Sequence, residues 1–437
     1  MNHYREESTV EKQIIKHTFS VCPKCLNRIP AVLTQKDGTV FMEKECPLHG
    51  KFSSVVWRGE ISLEEWCGGQ NADLEEAGII NCPQECGLCK NHKRNTCCIL
   101  LEVTRRCNLD CSYCFAYARK KKDPKACEVK RWLGELARSG RTFVQFSGGE
   151  PTMRDDLPEL VKYAKDCGHE YIQLNSNGIR LAEDEAYVGQ LAQAGLSFVF
   201  LQFDGTRDSI YQITRGRDLL QIKLKAIENC GKYGIGVTLV PVILPGVNVD
   251  NLGEILELGV SLSPVVRGVH FQPVSYFGHY PKRPTDKERI TLPEIILGLE
   301  KQTGGIVNRR NLKPSQCDHP MCGFHGSFVV LPTGLKALNQ RTENSAHCCC
   351  KPDAAAINRA YIGKRWMGRK TAVQKKIDME NMSDFVEQVR NFSFTVTAMA
   401  FQDCYTLDLD RLQNCSLHVY NNGKIVPFCV NYLTGEL

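Results

Sequence analysis

The sequence predicts an α/β fold organised on a parallel sheet. Three observations carry this reading. Short β-branched or aromatic runs alternate with helix-length amphipathic segments through the middle of the chain. Each run ends in Gly, Asn, Asp or Pro. The cysteines avoid this stretch: thirteen lie from Cys22 to Cys127, eight from Cys317 to Cys429, and only Cys167 and Cys230 between. Six βα units in succession imply right-handed crossovers, in either a partial barrel or an open doubly wound sheet. In both, ligands sit beyond the carboxyl ends of the strands, so motifs at strand ends carry the chemistry.

Taken in order, the predicted strands are Cys98–Thr104, Thr142–Ser147, Tyr171–Asn175, Ser197–Phe203, Gly236–Val242 and Gly268–Phe271. The helical segments between them include Asp156–Cys167, Glu183–Ala194 and Asp218–Tyr233, the last with apolar residues near helical spacing. With 437 residues and 42% hydrophobic composition, the chain can bury a sizeable core. Lys+Arg 55 against Asp+Glu 49 leaves only +6, too mild to argue for nucleic acid, and the basic residues are dispersed without interleaved aromatics. The first twenty residues carry scattered charges and no apolar core, so no secretory signal is expected. No run approaches the roughly 18 apolar residues of a membrane span. A soluble, cytosolic protein is expected, and in a reducing compartment 23 cysteines read as metal ligands or redox groups before disulfides.

The first strand runs into Arg105, Arg106 and then Cys107, Cys111 and Cys114, a CxxxCxxC loop. Three thiolates can hold three irons of a cubane cluster and leave the fourth open to a substrate, whereas structural zinc prefers four protein ligands. The second strand ends in Gly148, Gly149, Glu150 and Pro151. Glycines let the backbone approach a ligand, and Glu150 or nearby carbonyls can take an ammonium group. The third strand ends at Asn175 and Ser176, the fourth at Gln202 and Asp204. The fifth leads to Leu244–Asn248 and the sixth to Gln272 and Val274, walls for a ligand at the same end.

Outside the sheet, Cys22, Cys25, Cys46 and His49 form two knuckles, a closed tetrahedral set for mononuclear zinc or iron. The arrangement is rubredoxin-like, and a structural role is favoured over a redox one. Cys82, Cys86 and Cys89 repeat the CxxxCxxC spacing, followed by His92, Cys97 and Cys98. Cys97 can supply a fourth ligand and close an auxiliary 4Fe–4S cluster, leaving Cys98 as a small core residue of the strand. Cys317, Cys322, Cys415 and Cys429 can assemble a second auxiliary cluster through tertiary contact, which spacing alone does not prove. His418, near Cys415, reads as a hydrogen-bonded surface histidine. The run Cys348–Cys350 is open to several roles, and Cys67, Cys127, Cys167 and Cys230 read as buried small hydrophobes.

These motifs resemble the radical S-adenosylmethionine (SAM) superfamily. Within it they are similar to the branch of tetraether lipid synthase and the pterin-modifying radical SAM methylases. The likeness runs from Cys22 to Tyr432 and includes the stretch from Arg215 to Leu220 and the closing residues His418–Asn431. His279 and Ser416 stand where that branch has Arg and Cys. The resemblance implies a partial (β/α)6 barrel over 99–275. It also implies a mononuclear metal domain over 1–60, an auxiliary-cluster segment over 61–98 and a Cys-rich C-terminal region over 276–437. Cys107, Cys111 and Cys114 would hold the SAM-binding 4Fe–4S cluster. Gly148, Gly149, Glu150, Asn175, Ser176, Gln202 and Asp204 would contact SAM, with the GGE segment on its amino group. The implied reaction is reductive cleavage of SAM to a 5′-deoxyadenosyl radical, for hydrogen abstraction, C–C bond formation or methylation at an unactivated carbon of a lipid or pterin. A low-potential electron donor would be the partner, and a lipid substrate would make the protein peripheral to a membrane.

Two other classes compete. A zinc-knuckle binding protein leaves the open three-cysteine loop without a purpose, and a multi-cluster electron carrier leaves the following GGE unexplained. Within the enzyme class, the nearest alternative is a radical SAM peptide maturase with auxiliary clusters.

Overall fold

The computed structural model describes residues 12–69, 82–83, 86–89, 91–116, 122–338, 354–368, 382–421 and 423–435. Two sheets organise them. The first is an antiparallel ribbon, in order β1 (Gln13–Val21), β2 (Arg28–Lys36), β3 (Thr39–Cys46) and β4 (Gly50–Trp57). The turn between β2 and β3 is made by Asp37 and Gly38, both at positive φ, as a two-residue hairpin requires.

The second sheet has 13 strands. Its central six are β5 (Cys98–Thr104), β6 (Phe143–Gly148), β7 (Tyr171–Ser176), β8 (Phe198–Gln202), β9 (Gly236–Val240) and, after the short β10 (Val242–Ile243), β11 (Val266–Pro273). They pair in parallel in the order 5-6-7-8-9-11. Strand β6 is buried at every position, as a strand covered on both faces must be. The helices that return the chain are Ala126–Arg138, Leu157–Asp166, Glu185–Ala194, Leu220–Lys232 and Leu252–Ser261.

All six predicted strands are present, with bounds shifted by a few residues. The fifth stops at Val240 because Pro241 has no N–H for the ladder, and pairing resumes as β10 against β11. The predicted helix from Glu183 begins instead at Glu185. Asp184 caps it, its side chain accepting from Tyr187 N at 3.0 Å, and a separate short helix Ile179–Glu183 precedes it.

What the sequence did not show is how the C-terminal region completes this sheet. Strands β12 (Lys313–Pro314), β13 (Gly323–Leu331) and β14 (Gly334–Ala337) lie antiparallel near one edge. Strand β15 (Ser393–Met399) then pairs in parallel with β11, and β16 (Leu417–Asn421) pairs in parallel with β5 at the opposite edge, followed by the hairpin partner β17 (Lys424–Pro427). Eight parallel strands therefore run from β16 to β15. Residues 400–416 cross from β15 beside β11 to β16 beside β5.

The ribbon docks on that crossing segment. Lys16 Nζ lies 2.6 Å from Asp410, Thr18 donates to Asp408 at 2.6 Å, and Lys44 donates to the Cys404 carbonyl at 2.7 Å. Burial alone would raise the Asp410 pKa; His319 and Lys16 overcome it and hold the carboxyl well below the ordinary carboxylate value. A folded-state pKa below the unfolded one stabilises the protein above the unfolded value, and that contribution is lost as pH falls through it. Asp410→Asn is therefore expected to lower the melting temperature at neutral pH and to flatten its decline below about pH 4. A variant whose melting tracked the native protein at both pH values would remove Asp410 from that account.

Candidate functional site

The barrel encloses a cavity of about 330 Å³ whose wall takes residues from β5, β6, β7, β8, β9, β11 and β15. At its mouth, past the end of β5, lie Cys107, Cys111 and Cys114. The loop that carries them is pinned from three sides. Cys114 exchanges two backbone hydrogen bonds with His279, at 3.0 and 2.9 Å. Ser112 donates from its amide to Thr214 O and from its hydroxyl to Ile213 O. Asp123 accepts from Thr104 Oγ1, Arg105 N and Arg106 Nε at the loop's base. His279, a departure from the related pattern, serves here through its backbone, so the pairing does not depend on its side chain.

The end of β6 lies against this loop. Gly149 N donates to Thr104 O at 2.9 Å and Glu150 N to Arg106 O at 2.7 Å. A Cβ on Gly148 would sit 2.2 Å from Thr104 O, and one on Gly149 2.1 Å from Arg106 O. Only glycines allow that approach. The three thiols are also close enough to feel one another. Partial desolvation, with the charges of Glu150, Cys111 and Cys114 around it, pushes the Cys107 thiol up to about 11.

Gly148, Gly149, Glu150, Asn175, Ser176 and Gln202 all line the cavity. The Glu150 carboxylate, however, already accepts four hydrogen bonds. Oε1 takes Thr152 N, Thr152 Oγ1 and Ser176 Oγ, at 3.1, 2.6 and 2.8 Å, and Oε2 takes Asn177 N at 2.6 Å. It ties the ends of β6 and β7 together and keeps one acceptor position, on Oε2, for a ligand.

Asp204 departs from expectation. It is wholly buried and is not among the lining residues. Its carboxylate holds Arg215 by two bonds, at 2.6 and 3.0 Å, and also takes Thr214 Oγ1 and Val242 N. Arg215, not Asp204, reaches the cavity, and against the burial that would lower it, the charges of Asp204 and then of the Cys111 thiolate raise the pKa of its guanidinium. The acidic residue acts through the basic one, because the turn after β8 points its side chain back under the barrel mouth. Lys223 is a further buried cation, held by the Asn177 carbonyl and by Gln202 Oε1 at 2.8 Å. Burial pushes its ammonium down to about 7 against the attraction of Asp204. A lysine in an amphipathic helix gives no sequence signal of such a position.

In the ribbon, the ligand atoms of Cys22, Cys25, Cys46 and His49 all lie within 4.8 Å of one another. His49 Nδ1 is 3.4 Å from Cys22 Sγ and 3.5 Å from Cys46 Sγ. Burial would raise the Cys46 thiol, but backbone N–H groups of Leu48 and His49, with the His49 and Cys22 side chains, bring it to about 6. This is the closed Cys3His set that a tetrahedral mononuclear ion needs.

The remaining cysteines group differently from their spacing. Cys82, Cys86 and Cys89 share a small cavity with His92. Cys97 does not line it. The Cys97 sulfur contacts Cys317 instead, and Asn358 Nδ2 donates to both, at 3.6 and 3.0 Å. Cys322, Cys415 and Cys429 form a third group. Burial is the main cause that raises their pKa values, and the charges of Cys322 and Cys429 raise Cys415 further. Cys317 thus faces Cys97 and the central cavity, while Arg411 Nη2 donates to Cys322 at 3.7 Å. Cys98 faces the barrel interior and accepts from Gln145 at 3.0 Å. His418 is buried, not at the surface, bonded to Thr96 and His92. Cys67 and Cys230 are buried, but Cys127 is exposed and Cys167 half-buried. Cys348, Cys349 and Cys350 lie outside the described residues.

Three thiols on one loop at the mouth of a parallel barrel, closed against the next strand end by a glycine pair, define an iron–sulfur enzyme acting on SAM. The chain belongs to the radical SAM superfamily, whose family profile matches residues 101–259. A second profile, the HMPTM N-terminal zinc ribbon domain, matches residues 14–58 and so spans the Cys3His set. A 7,8-dihydro-6-hydroxymethylpterin dimethyltransferase of Methanocaldococcus jannaschii is 32% identical, across 95% of this chain and 92% of its own. A PqqA peptide cyclase of Bradyrhizobium diazoefficiens is 34% identical, across 62% of this chain and 76% of its own. Among solved structures, Streptococcus suis SuiB aligns over 49% of this chain and 47% of its own, with 15% identity and a TM-score of 0.42. Among the described residues no helix is long and apolar enough to cross a membrane.

Proposed function

We propose that this enzyme modifies an unactivated carbon of a pterin-like heteroaromatic, by methylation or C–C bond formation, with Cys107, Cys111 and Cys114 holding the SAM-binding cluster. The observation that carries the substrate is a belt of amides inside the cavity. Most of the wall is carbon, as in any small-molecule site. Gln145, Asn175, Gln202, Gln272 and Asn358 interrupt it, beside the rings of Phe200 and Trp366. Flat heterocycles offer edge donors and acceptors to amides and a face to aromatic rings. Gln145, Asn175, Gln202 and Asn358 each commit one side-chain group to the wall, and an alkyl chain would leave their remaining polar groups desolvated and unpaired, at a cost of about 1–3 kcal/mol each. The name of the M. jannaschii relative supports the same substrate class.

A reduced 4Fe–4S cluster with SAM supplies a 5′-deoxyadenosyl radical and methionine, for one electron from a low-potential donor. The chain supplies the rest. Arg215 and Asp204 fix the Cys111 side of the loop, Glu150 joins the strand ends beneath the ligand, and the barrel excludes water. No acid, base or nucleophile on the protein is required. A water-soluble substrate also removes the need for a membrane surface and agrees with a cytoplasmic location.

Anaerobic turnover with SAM, reductant and, separately, a deuterated reduced hydroxymethylpterin, a dialkyl lipid in detergent and a peptide tests this. Deuterium is expected in 5′-deoxyadenosine only with the pterin. Transfer from the lipid or the peptide alone would overturn the substrate while leaving the radical chemistry in place.

A further inference from the structure

We propose that His92, and not Cys97, completes the ligand set begun by Cys82, Cys86 and Cys89, making a Cys3His site for a 4Fe–4S cluster. The proposal rests on reading those three cysteines as cluster ligands, and it is independent of the substrate.

The small cavity behind the ribbon is walled by the three cysteines, His92 and the Leu412–Gln413 turn. Cys82 and Cys86 lie close enough for each to shift the other's acidity, Cys82 upward and Cys86 down to about 7. A turn in which His92 N donates to Cys89 O at 2.9 Å folds the histidine back over the same loop. The orientation of the ring decides its role. His92 Nε2 lies 2.7 Å from the carbonyl oxygen of Cys415. A carbonyl only accepts, so Nε2 carries the proton and Nδ1 carries the lone pair. Histidines that bind metals are typically fixed in this way, with the second nitrogen donating to a backbone carbonyl. His418 Nε2, 3.2 Å from the same His92 atom, and Thr96 behind it brace the arrangement. The His92 ring makes both contacts through Nε2 and lines the cavity, so Nδ1, with its lone pair, is its ligating atom.

Cys97 is held elsewhere. Its amide donates to Ser416 O at 2.9 Å, next to where β5 and β16 begin to pair, and its sulfur meets Cys317 and Asn358. Reaching the Cys82 cavity would require breaking that strand junction. The kind of metal follows from spacing. Among the described residues only the Cys22 group packs its ligand atoms within 4.8 Å of one another, the distance range of a single ion. The Cys82 group does not meet that spacing, and three thiolates with one imidazole are the four ligands that a cubane takes. An imidazole in place of a thiolate also removes one negative charge from the site, which raises the reduction potential.

The test uses the anaerobically purified full-length enzyme labelled with 15N-histidine. Pulsed EPR of the reduced clusters is expected to show a histidine nitrogen coupled to one cluster. That coupling should persist in Cys97→Ser and vanish in His92→Cys. His92→Cys should keep the iron and sulfide and become harder to reduce, by tenfold or more in the reduction equilibrium, about 59 mV for one electron. Absence of any histidine coupling in the native enzyme would overturn the proposal. So would loss of one cluster's iron and sulfide in Cys97→Ser. Unchanged iron in Cys86→Ala, or zinc without sulfide in this site, would instead overturn the underlying reading that these cysteines bind a cluster.

Discussion

Replacing Cys111 by alanine is expected to drop 5′-deoxyadenosine formation below detection while the rest of the bound iron remains. Cys111 is the middle residue of the three-cysteine loop and the one whose charge acts on Arg215. Its removal leaves two thiols for a cluster that needs three, with a buried guanidinium facing the gap. The loop itself should stay in place. Beyond Arg215, it is anchored by the backbone pairs at Cys114 and His279, the Ser112 contacts and Asp123, none of which uses the Cys111 side chain. Iron at the other cysteine groups is therefore unaffected, because no ligand there comes from this loop. Cys127→Ala, an exposed cysteine on the outer helix Ala126–Arg138, supplies the control and should retain full activity. Anaerobic SAM cleavage with a chemical reductant, read beside total iron and sulfide, checks both. Native-rate cleavage by the Cys111 variant would remove the loop from the chemistry.

The barrel and the cysteine loop were legible because their signals are local. A run such as Ile99–Val103 declares a buried strand, and CxxxCxxC followed by GGE needs no tertiary information to suggest an open cluster site. The parts that were not legible depend on contacts far apart in sequence. Strands β15 and β16 look like ordinary apolar segments of a Cys-rich tail; their place at the two barrel edges is set by pairing Thr395 with Gly268 and Leu417 with Cys98. Spacing likewise groups cysteines that are neighbours in the chain. It put Cys97 with Cys89, whereas the junction of β5 and β16 turns it toward Cys317. Asp204 shows the same limit at the scale of one side chain. A carboxylate at a strand end reads as a ligand contact, and only the fold shows that it reaches the site through Arg215. The exposure of Cys127 and the burial of His418 are reversals of the same kind.

Losing the ribbon's metal is expected to have the largest effect on stability. Cys25→Ser, or removal of the ion by a strong chelator, takes away binding free energy that reaches ~10 kcal/mol in small zinc folds. The ribbon has little else to hold its knuckle end. Around the metal set its core consists of Cys22, Cys46, Ile29 and Phe52, so two of the four buried residues are themselves ligands. The loss should also spread. Lys16, Thr18 and Lys44 reach from the ribbon to Asp410, Asp408 and the Cys404 carbonyl. If the ribbon frays, buried Asp408 loses Thr18 and Asp410 loses its buried partner Lys16. Both lie on the crossing segment that leads to Cys415. Cys25→Ser should therefore melt at a temperature several degrees lower or more. At temperatures below that transition, the EPR signal of the SAM-binding cluster should remain native, since the anchors of the cysteine loop at His279, Ile213, Thr214 and Asp123 lie outside the ribbon sheet. Thermal denaturation followed beside metal analysis decides the matter. An unchanged melting temperature in a protein shown to have lost the ion would mean that the ribbon folds without it, and the site would then have to be read as a redox centre instead of a staple.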